Sequence, residues 1–432
     1  MPTHLLRLVA LMQPRRYPWD RQPNFPPGVV PTPWPGYVVL VRFDVLDLEV
    51  LRARRTMKWS RYPPDVLPAW VAEMDFPLAP SVQEAARKVV EAHDLGYPEP
   101  GGLAVAFADW SARYQGWQPD PALACSVGDV MAGVEAALRV LTEPGDGVVL
   151  LTPAYPPFFA LLEQLGRVAL SWPLLDRPQG WTLDLQRLDD ALRDGARAVL
   201  LCHPHNPTGR VLTRDELTAV SEIVDTWGAH VISDEVHAPL LATDARFTPY
   251  AASGPRAATH TVTVTSVSKG WNVPGLKCAL LQAQPATAHV AAAVPEYERL
   301  RASVPGVAAS IAAWTDDGGW LDGLRIHLDR TRVDLADWVG RTPGVLAHPG
   351  QAGYLAWLDL RGTGLGDDPA AALLDRGRLA VSSGHRFALP AEQGNGRVRL
   401  NHGTSLGLLR EALRRIDRTI GGPSWQPGTQ NA

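Results

Sequence analysis

Residues 261–277 read Thr261-Val262-Thr263-Val264-Thr265-Ser266-Val267-Ser268-Lys269-Gly270-Trp271-Asn272-Val273-Pro274-Gly275-Leu276-Lys277. The first five are β-branched throughout and read as a strand. Lys269 follows four residues on, between two hydroxyls (Ser266 and Ser268) and a second lysine. Open α/β sheets hold their ligands beyond the carboxyl ends of strands, so Lys269 stands where a ligand is expected. A lysine there can clamp a phosphate or attack a carbonyl as a nucleophilic amine. Taken alone it is more often a plain surface lysine, and the rest of the chain has to decide.

Outward from this strand the text alternates. Short apolar runs at 148–151, 168–170, 198–201, 230–232 and 278–281 read as strands, and 158–165, 185–192 and 213–227 read as helices. Continuous apolar strands between helices mean a mostly parallel sheet covered on both faces. Upstream, Ser81 with Glu84 reads as a capping box opening a helix that runs on toward Gly96. Further helices are expected at 103–114, closed by Gly116, and at 130–141, ended by Pro144-Gly145-Asp146. After about residue 290 a long helical region at 320–339, strand-like runs at 354–358 and 398–400, and a helix at 406–416 suggest a smaller α+β unit. The expected division is a Pro-rich disordered extension (1–42), an N-terminal arm and part of the small domain (43–95), a large domain (96–305), an interdomain helix and small domain (306–422), and a disordered tail (423–432).

Composition sets outer bounds. The 432 residues suffice for a large core, and 46% are hydrophobic and 20% charged, ordinary for a soluble protein. The net charge of −4 carries no basic footprint, so nucleic acid is not an expected partner. Cys125, Cys202 and Cys278 form no CxxC pair and sit in apolar runs, which fits buried reduced thiols and a cytoplasmic location. No run is long enough to span a membrane, and the first twelve residues make a poor export signal. Deleting residues 1–40 is expected to leave activity intact.

Four more runs carry chemistry, each at a strand end or loop. His203-Pro204-His205-Asn206-Pro207-Thr208-Gly209 follows the 198–201 strand, signals a tight turn and offers the Asn206 amide. Ser233-Asp234-Glu235-Val236-His237 follows the 230–232 strand. An acid at that depth asks for a fixed cationic partner, because an unpaired buried charge is costly. Gly128-Asp129-Val130 opens a helix, where free N–H groups bind anions. Tyr155 lies just beyond the 148–151 strand. One ligand would use them all: a carbonyl for Lys269, a phosphate for Ser266, Lys277 and the Gly128 helix end, a basic ring nitrogen for Asp234, and a flat face for Tyr155. Pyridoxal phosphate fits that description.

The order of these motifs, closed by Arg399-Leu400-Asn401, resembles the fold-type I pyridoxal-phosphate enzymes of the aminotransferase class I/II superfamily, over residues 43–420. Trp70-Val71-Ala72-Glu73-Met74-Asp75-Phe76-Pro77, Gly96-Tyr97, Asp234-Glu235-Val236-His237 and Arg399-Leu400-Asn401-His402-Gly403 are similar to the MalY/PatB group of cystathionine β-lyases. The resemblance implies that Lys269 carries the cofactor and shuttles a proton, Asp234 keeps the ring nitrogen protonated, Asn206 bonds the ring oxygen and Tyr155 stacks. Ser266, Lys277 and the Gly128, Asp129 and Val130 loop hold the phosphate, helped by Tyr97 from the second subunit of a homodimer. His237, where aminotransferases usually have Tyr, joins the cofactor site and tilts the reading toward a lyase. Arg399, with Asp75, contacts the amino-acid substrate. A carboxylate at Asp129 is unexpected beside a phosphate. Arg397 shares a strand face with Arg399, and only the Arg-Leu-Asn match favours the latter. Aminotransferase chemistry, and a non-catalytic binding protein on the same fold, stand as the alternatives. His203, His205 and His402 read as satisfied loop histidines, without metal spacing.

Overall fold

The computed structural model describes residues 43–421; the 1–42 extension and the 423–432 tail lie outside the described residues. Seven strands form the central sheet: β1 (Ala124–Val127), β2 (Gly147–Thr152), β3 (Val168–Pro173), β4 (Ala198–Cys202), β5 (His230–Asp234), β6 (Thr261–Thr265) and β7 (Ala279–Ala283). Their spatial order is β1-β7-β6-β5-β4-β2-β3. All neighbours pair parallel except β7, which runs antiparallel to both β1 and β6. The α/β expectation is therefore met, with one reversed strand.

The strands are apolar on both sides because both sides are covered. Leu150, Leu200, Ile232 and Val264 pack with Val134, Leu138, Phe158 and Leu162 of the helices Val130–Leu141 and Pro156–Gln164. Their sequence neighbours Val149, Leu151, Val199, Leu201 and Val231 point the other way. They meet Leu188, Leu192, Leu217, Val220 and Val224 of the helices Leu185–Arg193 and Arg214–Thr226. Period-two alternation thus feeds two separate cores. Gly133 sets how closely the first of these helices approaches the sheet, since a Cβ there would lie 2.7 Å from Val264 Cγ1. That approach brings the helix start at Val130 to the sheet's carboxyl edge.

A second, three-stranded sheet of Leu355–Asp359, Arg397–Asn401 and Ser382–Ser383 is antiparallel. The helices Trp320–Arg341 and Leu406–Ile420 cover it, burying Trp338, Leu358, Val398, Leu400, Leu413 and Ile416. Leu67 and Pro68 pair with Leu379 and Ala380, joining the N-terminal segment to this part of the chain.

Local signals held where a cap was complete. Thr213 and Glu216 form the full reciprocal box at the helix Arg214–Thr226. The box read at Ser81 and Glu84 does not form. Pro80, whose fixed φ suits the first helical position, starts the helix Pro80–Glu91 early, with Ala79 as cap. Ser81 then lies inside the first turn with its hydroxyl buried and unbonded, and Glu84 pairs with Arg87. This helix ends at Glu91, short of Gly96. The three cysteines are buried and unpaired, as expected.

Candidate active site

β1, β2, β4, β5 and β6 all point their carboxyl ends at one edge of the sheet, and the five chemical runs leave from those ends. Lys269 sits on a single helical turn, Val267–Gly270, directly after β6. Its Nζ donates to the carbonyl of Ala72 at 2.9 Å. Burial disfavours the charged ammonium, and the nearby Arg399 adds to this, so the amine is brought down from 10.5 to about 8. Asp234 closes β5. One oxygen accepts from Val236 N at 3.1 Å, and among the described residues no ion pair neutralises the group. Desolvation pushes it up to about 6, with Lys269 pulling weakly the other way. Here is a carboxylate held ready for a cation.

Arg399 is 5% exposed. Its Nη1 donates to Asn206 Oδ1 at 3.1 Å and its Nη2 to Trp70 O at 2.9 Å, while Nε is buried without a partner. The ring of Phe387 lies 4.8 Å from the guanidinium. Arg397 instead lies 3.5 Å from Asp359 and donates to Gln393 O. The structure thus separates the two arginines that strand period leaves equal: Arg399 faces inward with donor capacity to spare. Asn206 uses its oxygen on Arg399. His237 is buried with Nδ1 unbonded, and desolvation takes it down to about 3, so it is neutral at ordinary pH. Tyr155, half-buried, caps the helix Pro156–Gln164 beside the site.

At the far end, Lys277 and the 128–130 loop meet. Lys277 Nζ lies 2.7 Å from Asp129 Oδ2. The other Asp129 oxygen caps the helix Val130–Leu141 by accepting from Ala132 N. This accounts for a carboxylate beside a proposed anion site: Asp129 is the helix cap and faces a lysine. The Ser266 hydroxyl donates to Cys278 O at 2.6 Å and accepts from Ser268 N. Its one proton is thus already engaged within the loop. Tyr97 stands apart from the cluster at 87% exposed.

Asp75 does not present a free carboxylate. Lys58 Nζ and Trp59 Nε1 both reach its Oδ1 at 2.8 Å, and both members of the Lys58–Asp75 pair are nearly inaccessible. The loop histidines are held by hydrogen bonds, though His203 Nδ1 is buried without a partner. His203 bonds Thr248 O, His205 bonds Thr208 Oγ1 and Leu151 O, and His402 bonds Thr331 Oγ1. Sequence reading passed over Tyr354, Phe387 and Asn272. Tyr354 is buried, donates to Ala72 O and lies edge-on to His237. No local pattern marks Tyr354 or Phe387, which arrive from more than 80 residues beyond the lysine. Asn272, three residues after Lys269, was within sight.

A desolvated lysine, a buried carboxylate lacking a cation, an inward arginine with an open donor, and a helix start flanked by a lysine together suit a ligand with a carbonyl, a protonatable ring nitrogen and a phosphate. Pyridoxal phosphate has all three. On this sheet topology, such a site defines the class: a fold-type I aminotransferase-like enzyme. Residues 71–416 match the aminotransferase class I and II family, and the chain belongs to it. A Mycobacterium leprae protein provisionally named cystathionine beta-lyase is 40% identical over 400 residues, covering 87% of this chain and 98% of that protein. The cystathionine beta-lyase of Corynebacterium glutamicum is 33% identical, covering 86% and 98%. Among solved structures, a Corynebacterium diphtheriae protein provisionally described as a PLP-dependent beta-cystathionase superposes with a TM-score of 0.82 at 34% identity, covering 88% of this chain and 99% of that one.

Proposed function

We propose that this chain is a pyridoxal-phosphate-dependent carbon–sulfur β-lyase that cleaves cystathionine and related cysteine S-conjugates to a thiol, pyruvate and ammonia. The observation that carries it is the convergence of Lys269, Asp234 and Arg399 at one sheet edge, each desolvated and each with chemistry left unspent. The names borne by the relatives support the choice of thioether.

Lys269 would hold the cofactor's aldehyde carbon until the substrate's amino group takes its place there and frees the lysine amine, while Asp234 would hold the ring nitrogen, Asn206 the ring oxygen and Tyr155 the ring face. His237 lies beside them as a neutral ring. Lys277 and the N–H groups of the 128–130 loop hold the phosphate, and the Ser266 hydroxyl joins them once its proton turns away from Cys278 O. The cofactor supplies an electron sink for charge developing at the substrate α-carbon. Arg399 takes the α-carboxylate, using donors that a planar guanidinium presents in a fork. That bond sets the α-carbon's proton toward Lys269. A pKa brought down to about 8 leaves a useful fraction of the amine unprotonated near neutrality, as a general base requires. The protonated Lys269 is then the acid placed to pass that proton to the departing sulfur, while hydrolysis of the three-carbon fragment yields pyruvate and ammonia. Asp75 acts at a distance, by anchoring the backbone that Arg399 and Lys269 touch.

The enzyme works as a cytoplasmic homodimer, with Tyr97 reaching the phosphate of the neighbouring subunit. Its 87% exposure, with Val90 and Leu95 exposed nearby, supports a surface meant to be covered. No helix among the described residues is long and apolar enough to cross a membrane. The large unit spans 96–305, and the small unit spans 306–422 with part of 43–95. The reading is tested by following thiol release from cystathionine. Wild-type protein is expected to release it, and a Lys269→Ala variant is expected to be colourless and inactive. Full turnover by that variant would remove Lys269 from the mechanism.

A further inference from the structure

Residues 70–75 cross the site as a strap, and side chains hold every carbonyl in it, that of Asp75 through Arg54 Nη2 at 2.9 Å. Trp70 O accepts from Arg399 and from Ser382, Val71 O from Asn401, and Ala72 O from Lys269 and Tyr354. Glu73 O accepts from Asn401 and Lys58. The fifth carbonyl, Met74 O, belongs to Asn272, whose Nδ2 donates to it at 2.9 Å, while Met74 N donates to Asn272 Oδ1 at 2.8 Å. One side-chain amide therefore meets a backbone residue with both its donor and its acceptor, as a neighbouring strand would.

Asn272 adopts φ +57°, a left-handed conformation that most residues avoid and Asn tolerates better than others. It lies three residues past Lys269 on a turn closed by Val273 N donating to Ser268 O at 3.0 Å. Met74 is two residues past Ala72 and fully buried. Asn272 thus ties the turn that carries the lysine to the strap whose carbonyls meet both the lysine and the carboxylate-binding arginine. Other ties on the strap come from the 382–401 strands and Gly403, from Tyr354, and from the N-terminal residues Arg54, Thr56, Lys58 and Trp59. Besides Lys269 itself, whose amine leaves Ala72 O when it reacts, Asn272 is the side chain of this turn that holds the strap among the described residues, and it does so with two hydrogen bonds.

We propose that Asn272 is a positioning residue for the Lys269 proton transfer: through Met74 it sets the distance and angle between the lysine and the Arg399-bound substrate. It touches neither cofactor nor substrate. The inference rests on the lyase reading for its kinetic arm only. Placement errors near one ångström cost orders of magnitude in rate, so the effect belongs in kcat, because the Arg399 anchor and hence KM depend on other ties.

The test uses cofactor-loaded wild type, Asn272→Gly and Asn272→Asp. Gly keeps the left-handed backbone without strain and removes the amide; Asp keeps the acceptor for Met74 N and loses the donor. Asn272→Gly is expected to lower kcat for cystathionine at least about tenfold, with KM changed less than about threefold. The pH midpoint of the loaded enzyme's visible absorption is expected to move by about half a unit or more. Asn272→Asp is expected to lie between Gly and wild type in both readouts. An unchanged kcat and absorption midpoint in Asn272→Gly, with or without a lower melting temperature, would overturn the proposal. Should Asn272→Gly fail to fold, wild-type values for both readouts in Asn272→Asp would overturn it equally. Wild-type protein inert to cystathionine would defeat the lyase reading instead, and the absorption midpoints would still decide the role of Asn272.

Discussion

Next to Asp234 stands Glu235, a carboxyl that no step of the chemistry uses. Its Oε1 accepts from Ser233 Oγ at 3.0 Å and Tyr250 N at 2.9 Å, and it is 2% exposed. Burial pushes it from 4.5 up to about 8, with neighbouring Asp234 adding to the rise. A folded value above the unfolded one means the native chain keeps a proton that the unfolded chain releases. That stability is fully present below about 4.5 and is lost as pH climbs toward about 8. Glu235→Gln keeps the acceptor and has no proton to lose. The variant should match wild type near pH 5 and exceed it at pH 8 by about 1 kcal/mol or more. Urea midpoints at the two pH values check this, and parallel wild-type and variant curves would refute it. At this scale the sequence showed a good deal. Lys269, Asp234 and Asn206 were legible because each follows a strand that could be read. Asp75 was misjudged, because its partners Lys58 and Trp59 lie on a short helix with no distinguishing period. Choosing Arg399 over Arg397 needed burial, which strand period does not carry.

Among elements, the strap at residues 70–75 has almost no regular structure and holds its shape through side-chain ties. The Lys58–Asp75 pair is the most deeply enclosed of them, at 2.8 Å and about 1% and 3% side-chain exposure. Removing one member of such a pair strands the other charge, which typically costs about 3–5 kcal/mol. Asp75→Ala should therefore lose stability on that scale, measured by denaturant unfolding. It should also lose kcat, since Trp70 O and Ala72 O meet Arg399 and Lys269. A loss under about 1 kcal/mol would mean that Lys58 finds another partner. Helices and strands proved easier to read than this strap. The helix Val130–Leu141 and the strand Thr261–Thr265 fall where a helical pattern ended by Pro144-Gly145-Asp146 and a β-branched run put them. The false start at Ser81 shows the limit: two cap signals competed, and Pro80 at the first helical position prevailed.

Taken whole, the molecule brings five strand ends to one sheet edge, and the doubly covered parallel sheet behind it was legible from strands apolar on both faces. The reversed β7 was not, since apolar runs look alike in either direction. Tyr97 projects from the surface, and the proposed dimer would bring it to the neighbouring site. The protein is expected to run at dimer mass in light scattering. Tyr97→Phe should remain dimeric yet hold pyridoxal phosphate about tenfold more weakly, the usual effect of losing one hydrogen bond to a charged group. Unaltered cofactor affinity would place the tyrosine outside the neighbouring site. The central claim is that Lys269, Asp234 and Arg399 are arranged to expel a thiolate from the β-carbon. It is met most directly by incubating the loaded enzyme with cystathionine in the absence of any 2-oxo acid. Pyruvate and ammonia in equal amounts, continuing over many turnovers, is the result expected. Product formed only when a 2-oxo acid is supplied would contradict the claim and make the chain an aminotransferase.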